Sequence, residues 1–466
     1  MTSLATVAIT VAHVALAVAV TGHVLAHKRD PGSAVAWIGL AWLSPVVGSV
    51  LYVLLGINRV QRRARGLRRP AAVQAPAPAA APSRSGELAE LETAAFRISG
   101  RSATDGNAIA MLHNGDEAYP QMLAAIDAAR SSVALSSYIF RADAAGNEFV
   151  AALGRAHRRG IPVRVLIDGY GGGYLRSEAY RALHRAGVPA ARFLHSLMPW
   201  RMPFLNLRTH RKLLAVDGAL AFAGGLNIGA ENLAQPRPKY PVHDTHFRFA
   251  GPVVAQFCSA FAEQWLFATG ETLGGAAWFP AVAPAGTSIA RAVTSGPDQD
   301  LEKIELLVLA AIGAARRSIR IMTPYFLPDE RVITALALAA MRGVEVDIVV
   351  PERSNHPVID CAMRAHVGPL LRAGCRLWLQ ALPFDHSKLL VVDRHWCFVG
   401  SANFDTRSFT LNFEINVEVY CATTASAVHD KIVANRQAPL LEGALARRPL
   451  PVRMRDSAAR LWLPYL

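Results

Sequence analysis

Two stretches of the chain carry no charged residue, residues 4–25 and residues 34–57. Each is long enough to supply the roughly 20 apolar residues that cross the hydrocarbon core of a bilayer. Thr6, Thr10, His13 and His23 dilute the first run. The second, AVAWIGLAWLSPVVGSVLYVLLGI, is the stronger pattern, and Pro45 and Gly48 are tolerable in a membrane helix. A cleaved leader would need a positive start, yet no Lys or Arg precedes Lys28. The pattern therefore predicts a transmembrane helical hairpin over residues 1–58.

Further along, the pattern repeats itself. LAAIDAARSSVALSSYIF (residues 123–140) is answered by LAAIGAARRSIRIMTPYF (residues 309–326), each an amphipathic helix followed by an alternating apolar strand. RGIPVRVLID (159–168) is answered by RGVEVDIVVP (342–351), a helix end, a Gly turn and a buried strand. Two homologous α/β domains follow, over residues 87–275 and 289–466, with GGAAWFPAVAPAGTS (274–288) connecting them. Strand–helix–strand order predicts a largely parallel sheet with right-handed crossovers in each.

Composition narrows the class. Hydrophobic residues are 52% and charged residues 18%, which excludes an intrinsically disordered chain. Lys+Arg 49 against Asp+Glu 35 leaves a net charge of +14, a balance that suits an anionic partner. Part of that excess is local: Arg59, Arg62, Arg63, Arg65, Arg68 and Arg69 follow the second apolar run, against Lys28 and Arg29 between the runs. The positive-inside bias puts the cluster and the rest of the chain on the cytoplasmic side. Near an anionic surface each such residue contributes about 1 kcal/mol. A basic and Ala/Pro-rich linker completes residues 59–86. The cysteines (Cys258, Cys361, Cys375, Cys397, Cys421) are odd in number and form no C-x-x-C pair, so they read as reduced packing thiols.

The chemistry sits in another repeated element. His210, Lys212, Asp217, Gly224, Gly225 and Asn227 match His386, Lys388, Asp393, Gly400, Ser401 and Asn403 with no change in spacing. With average residue usage, one such H-x-K-x4-D-x6-G-[GS]-x-N match arises by chance below roughly 10⁻⁶ per starting position. Strand alternation puts His and Lys of one motif on the same face, about 7 Å apart. Lys and Asn offer donors to phosphate oxygens, and the glycines admit close backbone approach. Two such halves facing each other make a pocket of two imidazoles and two ammonium groups. That pocket suits a phosphodiester, with one His attacking phosphorus and the other protonating the leaving alkoxide. The lysines (with Asn227 and Asn403) would hold the phosphate, so no metal and no cofactor is expected. Asp217 and Asp393 belong to the motif but are expected to brace the strand turns.

The doubled motif resembles the phospholipase D superfamily, and its surroundings resemble bacterial cardiolipin synthases. The matches are the N-x-R-x-HRK lead-in (Asn206, Arg208, His210), GGLNIG, HDTHFRFAGPVV, TPYFLPDE and SANFDTRSFTLNFE, together with the paired apolar runs. The resemblance implies two phospholipase D-like α/β sandwich domains sharing one active site. It implies a membrane-bound enzyme that moves a phosphatidyl group between two phosphatidylglycerol molecules through a phosphohistidine and releases glycerol. It also implies orienting carboxylates, Glu414 for His386 and Asp244 for His210, and by analogy His210 as nucleophile. Arg407, Ser408 and Asn412 are candidates to line the pocket. One departure is PFDHSK, where Asp385 replaces an apolar residue; it should face away from His386 and could alter how the mouth of the site meets headgroups.

Two further segments stay open. GYGGGY (169–174) lacks the lysine of a P-loop and reads as a loop beside the pocket. LHSLMPWRMPFLNL (194–207) fits either a membrane-dipping loop or an apolar loop packed between the halves. The competing activities are a phospholipase D that gives the phosphatidyl group to water, and a nuclease. The motif does not separate transfer from hydrolysis. Against the nuclease, no run of aromatics alternates with basic residues as a strand-binding groove requires, so no nucleic-acid partner is expected. The expected partners are a phospholipid and an anionic membrane, the bacterial inner membrane.

Overall fold

The computed structural model describes residues 4–28, 31–56, 88–195, 207–235, 238–298 and 300–463. The arginine cluster, the Ala/Pro linker and most of the segment 194–207 lie outside those residues. The chain divides into two units, 1–66 and 67–466.

In the first unit, Leu4–His27 is one unbroken helix, and of the described helices it alone is long and apolar enough to cross a membrane. The second apolar run does not match it. It is divided into Pro31–Leu43, Pro45–Leu51 and a wider turn at Tyr52–Gly56. The reason is Pro45, which pushes the preceding residue out of the helical region, and Ser44 indeed sits at φ −145°, ψ 78°. The run that looked diluted thus makes the continuous span, and the purer run is broken. Val20, Val24, Ala41 and Tyr52 pack together between the runs, while Val11, Val18, Val35 and Leu43 remain exposed on the outside. An apolar exterior of this kind is what a helix meeting lipid presents.

The second unit is built on one long sheet with an internal pseudo-twofold axis. One half runs Ala190–Phe193, Val163–Asp168, Val133–Ser137, Leu213–Val216, Leu220–Gly224, Thr245–Ala250, Thr104–His113. The other half repeats this order from the outside inward: Arg376–Gln380, Glu345–Pro351, Ser318–Met322, Leu389–Val392, Trp396–Gly400, Asn412–Tyr420, Ser288–Ser295. The innermost strands, Thr104–His113 and Ser288–Ser295, pair antiparallel and join the halves. Buried Asn107 stitches that joint, donating to the Ser288 carbonyl at 3.1 Å and accepting from the Val253 N–H at 2.8 Å.

Of the strands in these two orders, only the first three of each half run parallel, and a further edge strand, Ala438–Leu440, lies antiparallel outside Arg376–Gln380. The inner strands are antiparallel, which corrects the expectation of a largely parallel sheet. The cause is the motif itself. LLAVD and LLVVD turn straight back into LAFAGG and WCFVGS, and a tight turn can join only antiparallel neighbours.

Both faces of the sheet are covered. In the first half Leu135, Val165, Leu214 and Phe222 meet the helices Asn114–Ala128 and Ala144–Arg158 through Ile126, Phe149 and Leu153. The second half has its own core, where Ile319, Ile321, Ile348 and Leu390 meet Leu307, Ile312 and Leu336. Leu91 and Ala95 of the helix Ala89–Ser99 also belong to that second core. Equivalent aspartates start equivalent helices: Asp143 accepts from the Gly146 N–H, and Asp329 from Arg331 and Val332.

The motif aspartates are spent on the hairpin turns. Asp217 and Asp393 adopt left-handed φ of 54° and 52°, as Asp tolerates in such turns. The Asp217 carboxylate accepts the N–H groups of Arg130, Ser131 and Ser132, and that of Asp393 those of Arg316, Arg317 and Ser318. Each ties its hairpin to the start of the neighbouring strand. Replacing Asp393 by Ala strands these donors, so unfolding in urea should show a loss of about 1–3 kcal/mol. An unchanged midpoint would contradict the bracing role.

Candidate active site

The residues that lead into each histidine leave their own half. Arg208–Thr209 pairs parallel with Asn412–Phe413, and the His210 N–H reaches the Phe413 carbonyl at 2.9 Å. Phe384–Asp385 pairs parallel with Val242–His243, and the His386 N–H reaches the His243 carbonyl at 2.7 Å. Each imidazole is therefore delivered to the carboxylate of the opposite half. His210 Nδ1 lies 2.8 Å from Glu414 Oε1, and His386 Nδ1 lies 2.9 Å from Asp244 Oδ2. The pairing that the resemblance implied, Glu414 with His386 and Asp244 with His210, is the reverse of the one observed. It kept each partner within the same half, but the strand crossing decides.

An ionised carboxylate only accepts, so Nδ1 carries the proton and Nε2 the lone pair. Both carboxylates are held in turn. Glu414 also accepts from Ser401 Oγ at 2.5 Å and Asn412 Nδ2 at 3.2 Å, and Asp244 accepts from the Thr245 N–H at 2.7 Å. The [GS] position of the motif gains a meaning here. A Cβ at Gly225 would lie 2.0 Å from Asp244 Oδ1, whereas the equivalent Ser401 donates to the longer Glu414.

Lys212 and Lys388 are almost fully buried, and each ammonium donates to the carbonyl of its own motif histidine. Burial lowers both from the usual lysine range, Lys212 to about 7 and Lys388 to about 8. Burial likewise raises Asp244 and Glu414 to about 7 each. Both imidazoles titrate well below the ordinary histidine value because they are buried and lie in the field of the two ammonium groups. The cluster thus keeps neutral imidazoles beside titrating carboxylates and lysines around neutral pH, the environment in which functional groups are found.

His210 and His386 line one cavity of about 1120 Å³. Asn227 and Asn403 line it too; Asn227 Oδ1 accepts from the Ile139 N–H at 3.1 Å, and Asn403 Oδ1 is buried without a hydrogen-bond partner among the described residues. Arg407 and Asn412 are on the wall, while Ser408 is buried beneath it with its N–H on Asp405. Asp217 and Asp393 are not among the residues brought together here. Asp385 is not at the mouth: it is buried, accepts from the Ser387 N–H and lies 3.6 Å from the Lys431 ammonium. Sequence reasoning passed over Tyr138 and Tyr325, whose rings stand edge-on to His210 and His386 at 4.9 and 6.2 Å. Their signal was weak, since the repeat places Tyr138 opposite Pro324 and Tyr325 opposite Ile139, one residue out of register.

Comparison with known proteins shows what the chain is similar to. The family described as "Cardiolipin synthase, PLD-like domain" matches residues 122–262 and 308–434, and "Phospholipase_D-nuclease N-terminal" matches residues 15–56. A cardiolipin synthase of Geobacillus kaustophilus is 33% identical, covering 94% of this chain and 90% of its own length. The major cardiolipin synthase of Bacillus subtilis is 32% identical over 94% of this chain and 95% of its own. Among solved structures, phosphatidylserine synthase of Haemophilus influenzae superposes with a TM-score of 0.61 at 15% identity, covering 81% of this chain and 100% of that one. That last likeness is one of fold.

Two predictions follow from the geometry. Gly225→Ala displaces the Asp244 carboxylate from His386, and turnover should fall about 10²-fold in a protein that still melts cooperatively. Activity close to wild type would mean that the Asp244–His386 bond is dispensable. As pH rises through about 7 to 8 the unliganded lysines lose the protons that neutralise phosphate, so kcat/KM should decline there. A profile flat to pH 9.5 would contradict it.

Proposed function

This chain belongs to the cardiolipin synthase family built on phospholipase D-like domains, and from that premise we propose that it moves a phosphatidyl group from one phosphatidylglycerol to another. The observation that carries the reading is the pair of carboxylate-backed imidazoles lining one cavity above two buried ammonium groups. In the first half-reaction the Nε2 lone pair of one imidazole attacks phosphorus. The bond to the headgroup glycerol breaks, and the second imidazole, which enters the step as imidazolium favoured by the negative charge of the bound phosphate, gives that oxygen its Nε2 proton. In the second, that imidazole takes the proton of an acceptor hydroxyl, whose oxygen attacks phosphorus and breaks the nitrogen–phosphorus bond. Lys212, Lys388, Asn227 and Asn403 neutralise and hold the phosphate oxygens. Asp244 and Glu414 keep the imidazoles in one tautomer.

The setting fits a lipid substrate. Tyr170, Tyr240, Val358 and Trp462 line the same cavity yet are largely exposed, with Lys239 beside them. Exposed aromatic residues next to a cation form a rim suited to the headgroup level of a bilayer. The apolar N-terminal helix associates the chain with a membrane. We read both apolar runs as crossing it, with the catalytic unit on the cytoplasmic, anionic side where the arginine cluster lies.

The products in phosphatidylglycerol micelles test this directly. Wild type should release glycerol and form cardiolipin in equal amounts, and His210→Ala and His386→Ala should each reduce both at least ~10²-fold. Phosphatidic acid as the main product would make the enzyme a hydrolase. Absence of any lipid turnover would overturn the lipid substrate and move attention to nucleic acid.

A further inference from the structure

The two halves repeat each other, but the cavity between them does not. Counting from the motif histidines, Arg208 occupies the position that Phe384 fills in the other half. Counting from the motif asparagines, Arg407 occupies the position of Glu231, which is itself paired with Arg141 at 3.0 Å. Two guanidinium groups therefore line the cavity on one side, and their counterparts are an aromatic ring and a neutralised carboxylate.

Arg208 is held in place. Its guanidinium stacks over the Tyr170 ring at 3.7 Å and donates to Tyr138 Oη at 3.2 Å. Tyr170 belongs to the glycine-rich segment 169–174, and Asp168 organises that segment. Asp168 Oδ1 accepts the N–H groups of Tyr170 and Gly171, each at 2.8 Å, while Oδ2 accepts from Thr209 beside Arg208 at 2.9 Å. Arg407 is the second residue of the short helix Thr406–Thr410, whose N-cap Asp405 accepts from the Ser408 N–H at 2.6 Å. Asp168 and Asp405 thus accept backbone N–H groups. Burial and the like charge of Arg208 lower the Arg407 guanidinium from its usual range. Two like charges gathered in one cavity suit an anion that both can bind.

The donor lipid has a single phosphate, and the histidines and lysines take it. An acceptor phosphatidylglycerol brings a second one. Its reacting hydroxyl is only three carbons from its own phosphate ester oxygen, so the two phosphates must share the cavity. At about 1120 Å³ the cavity exceeds the ~300–1,000 Å³ usual for a single small ligand. Building on the transferase reading above, we propose that Arg208 and Arg407 bind the phosphate of the acceptor lipid and so favour a phosphate-bearing alcohol over water or glycerol. The glycine-rich segment serves this site by carrying the Tyr170 platform.

The test compares two products of one phosphoenzyme. Full-length protein is incubated in phosphatidylglycerol micelles with labelled glycerol. Cardiolipin reports transfer to an acceptor with a phosphate, and labelled phosphatidylglycerol reports transfer to one without. Arg208→Gln and Arg407→Gln should each lower the ratio of cardiolipin to labelled phosphatidylglycerol at least tenfold, with Arg208→Lys and Arg407→Lys in between. An unchanged ratio overturns the proposal, whether both products persist or fall together, since a damaged fold or donor site lowers them equally. If wild type exchanges glycerol but forms no cardiolipin, the proposal fails while the phosphohistidine chemistry stands. If wild type forms neither product, the transferase reading itself fails.

Discussion

Everything at the site depends on a crossing of two short strands. Arg208–Thr209 and Phe384–Asp385 each leave their own half and pair along the other, so each histidine meets a carboxylate that its own half does not supply. Neither half contains a complete catalytic pair. The antiparallel joint between Thr104–His113 and Ser288–Ser295 holds the halves in the register this crossing needs. A repeat with near-identical motifs can thus act as one centre, because the symmetry axis runs through the site rather than beside it.

The crossing also explains the electrostatics. Four titratable side chains from two halves are buried together, and burial alone moves each toward its neutral form. Two buried ammonium groups without a bound phosphate are costly for the fold, and buried charge is often worth less to stability than an apolar replacement. The arrangement makes sense when a phosphate arrives, since the charge is then already in place and needs no reorganisation.

Much of this was legible in the chain itself. The repeat, the two motifs, the histidines and lysines, both asparagines and both orienting carboxylates could be named from spacing and resemblance, because fixed spacings on strands carry their geometry with them. What could not be read was anything that depends on how the halves meet. The carboxylate partners were exchanged, because chain order does not show a strand changing sheets. The inner strands proved antiparallel, although LLAVD-x6-GG already implied a hairpin. The second apolar run proved broken at Pro45, a local steric effect that average hydropathy does not register. Asp385 turned inward to Lys431 because the strand that carries it is covered on both faces.

The crossed pairing is the central claim, and proton NMR of the imidazole groups tests it most directly. A buried imidazole N–H held by a carboxylate gives a downfield resonance, and His210→Ala and His386→Ala assign one such resonance to each ring. Glu414→Gln should then shift the His210 resonance and leave that of His386 in place, with Asp244→Asn doing the converse. If Glu414→Gln instead moves the His386 resonance, each half orients its own histidine and the account of a shared site is wrong.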